Sequence, residues 1–238
     1  MPSIDGLMNF HLRSIVLSLA RGEISGRHAG AMIATMVEDA GVEPMLRSWL
    51  MLDNHDTQRL TTMLPDTDQR RIAQVLQFTL PGAPVIYYGS ELGMTGGDDP
   101  EMRAPMRWDL IEDEDPDALA ELEWVRSLVD LRRSSRALRI GDYRALHTER
   151  GLAFMRRTDR YAETVIVVCN PTPEPIREVV QIRDSKQMGS NPMIDLIGGS
   201  EHRVYSGVLD IEIPARSAMV LQARPIDPVR YTPHKRMQ

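Results

Sequence analysis

The sequence predicts two successive fold classes: an α/β portion built on a parallel sheet, then an all-β antiparallel sandwich. Three observations predict them. Up to about residue 137, short apolar runs alternate with stretches of helical periodicity, the pattern of parallel strands with helices packed outside. Residues 48–53 (SWLMLD) are almost continuously apolar, which suits a strand covered on both faces. From Gly141 to Ala223 the runs shorten and turn clusters separate them, as in antiparallel sandwiches.

Residues 3–9 (SIDGLMN) read as a short strand. A helix follows over residues 11–20, where Leu12, Ile15, Val16 and Leu19 recur at helical spacing until Gly22 interrupts. A second helix over residues 26–40 puts Met32, Ile33, Met36 and Val37 on one face, and Gly41 and Pro44 close it. After the strand at 48–53, residues 66–80 form a helix capped by Asp66, lined by Ile72, Val75, Leu76 and Thr79, and ended by Pro81-Gly82. The run APVIYYG is the next strand. The last helix, over residues 116–135, buries Leu119, Leu122, Val125, Leu128, Val129 and Leu131. The strands DYRAL, LAFMRR, TVIVVCN, EVVQI, VLDIEI and AMVLQA complete the chain, with turns at Asn170-Pro171-Thr172-Pro173 and Ile197-Gly198-Gly199-Ser200. The expected division is residues 1–138, residues 139–227, and a basic, proline-containing tail at residues 228–238 that is loosely ordered.

Composition narrows the function. The formal net charge is −6, which excludes a broad nucleic-acid footprint. No apolar run approaches the roughly 18 residues of a membrane span. The first residues, MPSIDGLMNF, lack the basic start and apolar core of a signal peptide. Cys169 is the only cysteine and lies in an apolar strand, so it reads as a buried small hydrophobe in a reduced, cytoplasmic setting. There is no Walker loop, no His-Glu-x-x-His zinc motif, no EF-hand spacing and no Gly-x-Ser-x-Gly elbow. The six histidines are scattered, and no metal site is expected.

In parallel α/β folds, ligands bind at the carboxyl ends of the strands. Two polar segments sit there: DNHDTQR after the strand at 48–53, and GSELGMTGGDDPEMR after APVIYYG. Singly, Asn54, His55 and Asp56 fit turn chemistry. Taken together with the second segment, they fit a functional face equally well. Asp53 and Asp56 do not suit a carboxylate pair: three residues of extended chain separate them by roughly 10 Å and turn them to opposite faces, whereas a retaining glycosidase needs about 5–5.5 Å.

LDNHDTQR followed by QFTLPGAPVIYYGSELGMTGGDDPEMRAPMRWD closely resembles the α-amylase family of glycoside hydrolases, in its neopullulanase, cyclomaltodextrinase and maltogenic amylase branch. The segments IDGLMNFHLRSIVLSLARGEIS, LVDLRRSSRALRIGDYRAL and DLIGGSEHRVYSGVLDIEIPARSAMVL extend the resemblance over residues 3–223. It implies the C-terminal part of a (β/α)8 TIM barrel, about strands 6 to 8 with their helices, followed by a β-sandwich. It implies an α-glucan or maltooligosaccharide substrate. Asp56 matches the carboxylate that holds two sugar hydroxyls and stabilises the oxocarbenium-like transition state. His55 matches a histidine that hydrogen-bonds the cleaved sugar, and Asp99 with Arg103 a pair that grips the neighbouring glucose. Ser90 departs from the pattern, since relatives often carry an acidic residue there. Trp108 is expected to pack beneath its loop.

The family's nucleophile aspartate and acid/base glutamate lie on strands that precede these residues, as does its calcium-binding insertion. The expectation is that this polypeptide alone does not hydrolyse α-glucans, holds no cofactor of its own, and self-associates through an open barrel edge. The rival reading is a non-catalytic carbohydrate-binding or scaffold protein of the same fold.

Overall fold

The computed structural model describes residues 6–182 and 192–223. Helix α1 (Phe10–Ala20) starts where the Asn9 side chain accepts a hydrogen bond from the Leu12 amide at 2.9 Å. Helix α2 (Gly26–Ala40) is capped by Ser25 and stops at Gly41, whose φ of +81° suits glycine. Pro44 does not close this helix: it sits in the first turn of a further helix, α3 (Val42–Arg47), where proline costs no hydrogen bond. Strand β1 (Trp49–Met51) follows, then α4 (Leu60–Met63) and α5 (Thr67–Thr79), with Asp66 capping α5 through the amides of Asp68 and Gln69. Strand β2 (Ala83–Val85) is shorter than the APVIYYG run predicts. Helices α6 (Asp109–Glu112), α7 (Pro116–Ser134) and α8 (Arg136–Ile140) end this portion.

β1 and β2 pair in parallel, Trp49 opposite Ala83 and Met51 opposite Val85. Of the strand expected at residues 3–9, Met8 makes a single parallel bridge to Trp49 on the other side of β1, and residues 3–5 lie outside the described residues. Three parallel segments thus stand side by side with their carboxyl ends together. Their helices bury a continuous core that includes Leu12, Ile33, Leu50, Ile72 and Leu76. Two expected core residues are exposed: Met32 lies at the margin of the apolar stripe of α2, and Leu119 lies on the far side of α7 from its buried residues.

Eight strands follow: β3 (Asp142–Leu146), β4 (Leu152–Arg157), β5 (Val165–Asn170), β6 (Ile176–Gln181), β7 (Pro192–Asp195), β8 (Glu201–Tyr205), β9 (Val208–Ile213) and β10 (Ser217–Ala223). They form one antiparallel run in the order β3-β4-β5-β10-β7-β8-β9-β6. The run folds back on itself, so Met155, Ile166, Val168 and Leu221 meet Val180, Leu209 and Ile211 across the two layers. The alternate residues Phe154, Val165, Val167, Cys169 and Val220 join the core of the helices. β5 is therefore buried at every position, while β6, with one face in solvent, alternates strictly. The sequence reading missed β7 and β8: Pro192 opens one, and in the other only Val204 is buried among polar neighbours. The expected tail at residues 228–238 lies outside the described residues.

Buried charges are met by backbone groups within each portion, and Arg156 joins the two. Arg132 from α7 donates to the Phe78 and Gly82 carbonyls, and Arg156 from β4 donates to the Thr79 carbonyl at 2.7 Å and the Gly141 carbonyl at 3.0 Å. Two buried guanidiniums thus cap the carbonyl end of α5, where the helix dipole favours positive charge. Burial pulls them down, Arg132 to about 10 and Arg156 to about 9, the second also because Arg132 is near. Glu178 is buried and accepts from the amides of Glu149, Arg150 and Gly151, fixing the turn between β3 and β4. That turn abuts α2 so closely that a Cβ on Gly26 would lie 2.2 Å from the Gly151 carbonyl carbon. Among the described residues, no helix is long and apolar enough to cross a membrane.

Candidate active site

The site begins where β1 stops. Leu52 and Asp53 are still buried, and the Leu52 carbonyl accepts from Arg13 Nε at 2.7 Å. The Asp53 carboxylate accepts from the Ser90 hydroxyl at 2.6 Å and the Leu60 amide at 2.9 Å. Burial pushes its pKa above the ordinary carboxylate value, against the pull of those two hydrogen bonds and of Arg59 and Arg13. Asp53 is thereby tied into the fold. Ser90 supplies the donor that a second carboxylate could supply only by holding a proton.

The next residues turn outward. The Asn54 side chain accepts from the Asp56 amide at 2.9 Å, and the Asn54 amide donates to Thr57 Oγ1 at 3.1 Å. This local closure is turn chemistry of the kind Asn favours. It leaves His55 and Asp56 facing solvent, each side chain 59% exposed, with His55 Nε2 3.3 Å from an Asp56 oxygen. The turn reading thus holds for Asn54, while His55 and Asp56 are left open to solvent. Asp53 and Asp56 do not form a pair: one is enclosed by Ser90 and Leu60, the other points outward.

The segment after β2 returns to the same place. Arg103 donates through Nε to the His55 carbonyl at 2.9 Å and through Nη2 to Asp56 at 3.2 Å. Its Nε is also 3.4 Å from Asp99. All four residues singled out in the sequence, His55, Asp56, Asp99 and Arg103, therefore meet in one exposed polar cluster across the ends of β1 and β2. The cluster offers carboxylate acceptors, a guanidinium and an imidazole to a ligand rich in hydroxyls. Among the described residues, no group of three or more His, Cys, Asp and Glu side chains has an arrangement that could hold a metal ion.

Three residues beneath the cluster, Arg59, Tyr87 and Tyr88, escaped the sequence reading. Arg59 is fully buried, donates to the Tyr88 carbonyl at 2.6 Å, and has its guanidinium carbon 4.8 Å from both the Tyr87 and Tyr88 ring centroids. The available signal was the consecutive tyrosines at a strand end, read there as strand formers. Trp108 contradicts expectation: it is 62% exposed, and Met106 and Leu110 fill the small core under that loop instead.

Residues 5–126 match the family described as alpha amylase, catalytic domain. Neopullulanase 2 of Thermoactinomyces vulgaris is 31% identical over 225 residues, 91% of this chain and 36% of that protein. A cyclomaltodextrinase of a Bacillus species is 40% identical over 176 residues, 70% of this chain and 30% of that protein. The chain thus spans about a third of the length of these curated relatives. Among solved structures, Ttha1563 from Thermus thermophilus superposes with a TM-score of 0.78 at 26% identity, over 93% of this chain and 48% of that one. A cyclomaltodextrinase structure gives 0.77 at 25% identity, over 92% and 37%. The parallel strands with their helices are part of a (β/α)8 barrel, and the eight antiparallel strands are the β-sandwich that follows it. The chain belongs to the α-amylase family of glycoside hydrolases.

Proposed function

We propose that this chain carries the sugar-gripping part of the site of a retaining, α-glucan-acting glycoside hydrolase. The convergence of His55, Asp56, Asp99 and Arg103 at the strand ends carries the reading. Asp56 serves as the transition-state stabiliser: its oxygens accept from two hydroxyls of the sugar at the cleavage point, and that contact tightens as the ring flattens. His55 hydrogen-bonds the same sugar. Arg103, held by Asp99, directs its planar donors at the adjacent glucose.

The nucleophile aspartate and the acid/base glutamate belong to family segments that these residues do not match. The chain alone therefore binds maltooligosaccharides without cleaving them, since loss of one such group already costs several powers of ten in rate in comparable sites. The incomplete barrel edge is also the proposed route of self-association, supported by the exposed Leu7, Met8 and Trp49 on one side and Ile86 and Tyr88 on the other. A cytoplasmic setting belongs to the same reading and is supported by the lone buried cysteine. The binding-only alternative, a carbohydrate-binding protein of this fold, is favoured by one observation: the cluster contains grips for hydroxyls and a single candidate catalytic carboxylate. Incubating the purified chain with maltotriose and β-cyclodextrin, and assaying for new reducing ends, tests the proposal. No release is expected; release at an enzymatic rate would overturn the assignment of the missing carboxylates.

A further inference from the structure

We infer that Arg59 is a positioning residue for the sugar-gripping cluster, retained for the placement of Arg103 and not for stability. The inference rests on the reading that the cluster binds sugar. Arg59 closes a ring of contacts between the two strand-end segments. Its amide donates to the Gly96 carbonyl at 2.9 Å and its Nη1 to the Tyr88 carbonyl at 2.6 Å. Its guanidinium lies against both tyrosine rings. Those two rings carry the contact outward. The Tyr87 hydroxyl donates to the Met102 carbonyl at 3.3 Å and the Tyr88 hydroxyl to the Ala104 carbonyl at 2.8 Å, so the residues on either side of Arg103 are both held. Arg103 in turn reaches the His55 carbonyl and Asp56, which lead along the chain back to Arg59.

The same geometry argues against a purely stabilising role. Arg59 is completely buried, yet its Nε and Nη2 find no hydrogen-bond partner. A buried cation with unsatisfied donors is costly, so its own hydrogen bonds do not account for its presence there. Space is tight around it: a Cβ at Gly96 would come within 3.1 Å of Arg59 Cδ, and one at Gly89 within 3.3 Å of Nη1. The two glycines let the second segment close over the guanidinium.

The test compares wild type, R59M and Y88F by thermal melting, by the Arg103 Nε–H NMR resonance (assigned with R103K) and by maltotriose titration. R59M is expected to melt at or above the wild-type temperature, to lose or broaden the Arg103 resonance, and to weaken maltotriose binding roughly tenfold to a hundredfold, the range spanned by the loss of one hydrogen bond from a charged group. Y88F, which keeps the ring over Arg59 but lacks the hydroxyl that reaches Ala104 and Tyr87, moves the last two readouts in the same direction by less. A lower melting temperature for R59M with the Arg103 resonance unchanged makes Arg59 structural and overturns the inference. So does an R59M chain that fails to fold while Y88F leaves the resonance untouched. If wild type itself does not bind maltotriose, the sugar reading falls, and the Arg103 resonance still decides the positioning of that side chain.

Discussion

Two regions of this molecule treat polar groups in opposite ways. Where the β-sandwich meets the helices, β5 is buried on both faces, Phe154 and Val167 are fully enclosed, and Arg132, Arg156 and Glu178 each have their charge met by backbone groups. At the ends of β1 and β2 the charged groups of the cluster lie half in solvent and lean on one another through contacts of 2.9–3.4 Å. The first arrangement holds a shape. The second leaves acceptors and donors available to a ligand. The border between them falls inside four residues, between buried Asp53 and exposed Asp56: one carboxylate is tied into the fold, and its neighbour is left open to solvent.

Substitutions separate the two regions. The largest effect belongs to the enclosed region: F154A, which empties a fully buried site beside Tyr143, should cost about 3–5 kcal/mol in denaturant unfolding. A loss near zero would mean that the two portions are not packed as described. Next comes D53A, which strips the Ser90 hydroxyl and the Leu60 amide of their acceptor and should cost about 1–3 kcal/mol. D56A removes an exposed side chain and should leave stability within about 0.5 kcal/mol. Equal costs for D53A and D56A would erase the distinction.

A smaller effect sharpens it. Burial raises the Asp53 pKa, so the folded chain holds that proton more tightly than the unfolded chain does. Its contribution to stability is then fully present below the ordinary value of 3.8 and is lost as pH rises through the raised value. Asn at this position does not titrate, and its amide oxygen can accept the same two bonds. Wild type should therefore lose stability relative to D53N as pH rises across that window. Calorimetry of the two proteins in parallel measures the difference, and a constant or opposite trend contradicts the burial argument.

Much of this is legible in the sequence, for identifiable reasons. The helical stripes of α1, α5 and α7 and the apolar run of β5 follow from burial periodicity, which the chain carries in plain form. The four cluster residues lie in two short polar segments placed after apolar runs, and their motif makes them recognisable. Other features depend on contacts distant in sequence. β8 has one buried side chain, so its pairing with β7 and β9 leaves little trace in the pattern. Arg59 is charged, and only the three-dimensional enclosure by Tyr87 and Tyr88 makes it a buried residue. Trp108 reads as a packing residue because aromatics are usually buried, but shorter Met106 and Leu110 occupy that small core.

The exposed cluster is proposed as the sugar-gripping part of an α-glucan site. Isothermal titration of maltotriose into wild type and D56A tests it most directly. Saturable binding to wild type is expected, with at least about a tenfold loss in D56A, or about 1.4 kcal/mol, and an unchanged melting temperature. No binding by wild type, or equal binding by both proteins, would contradict it.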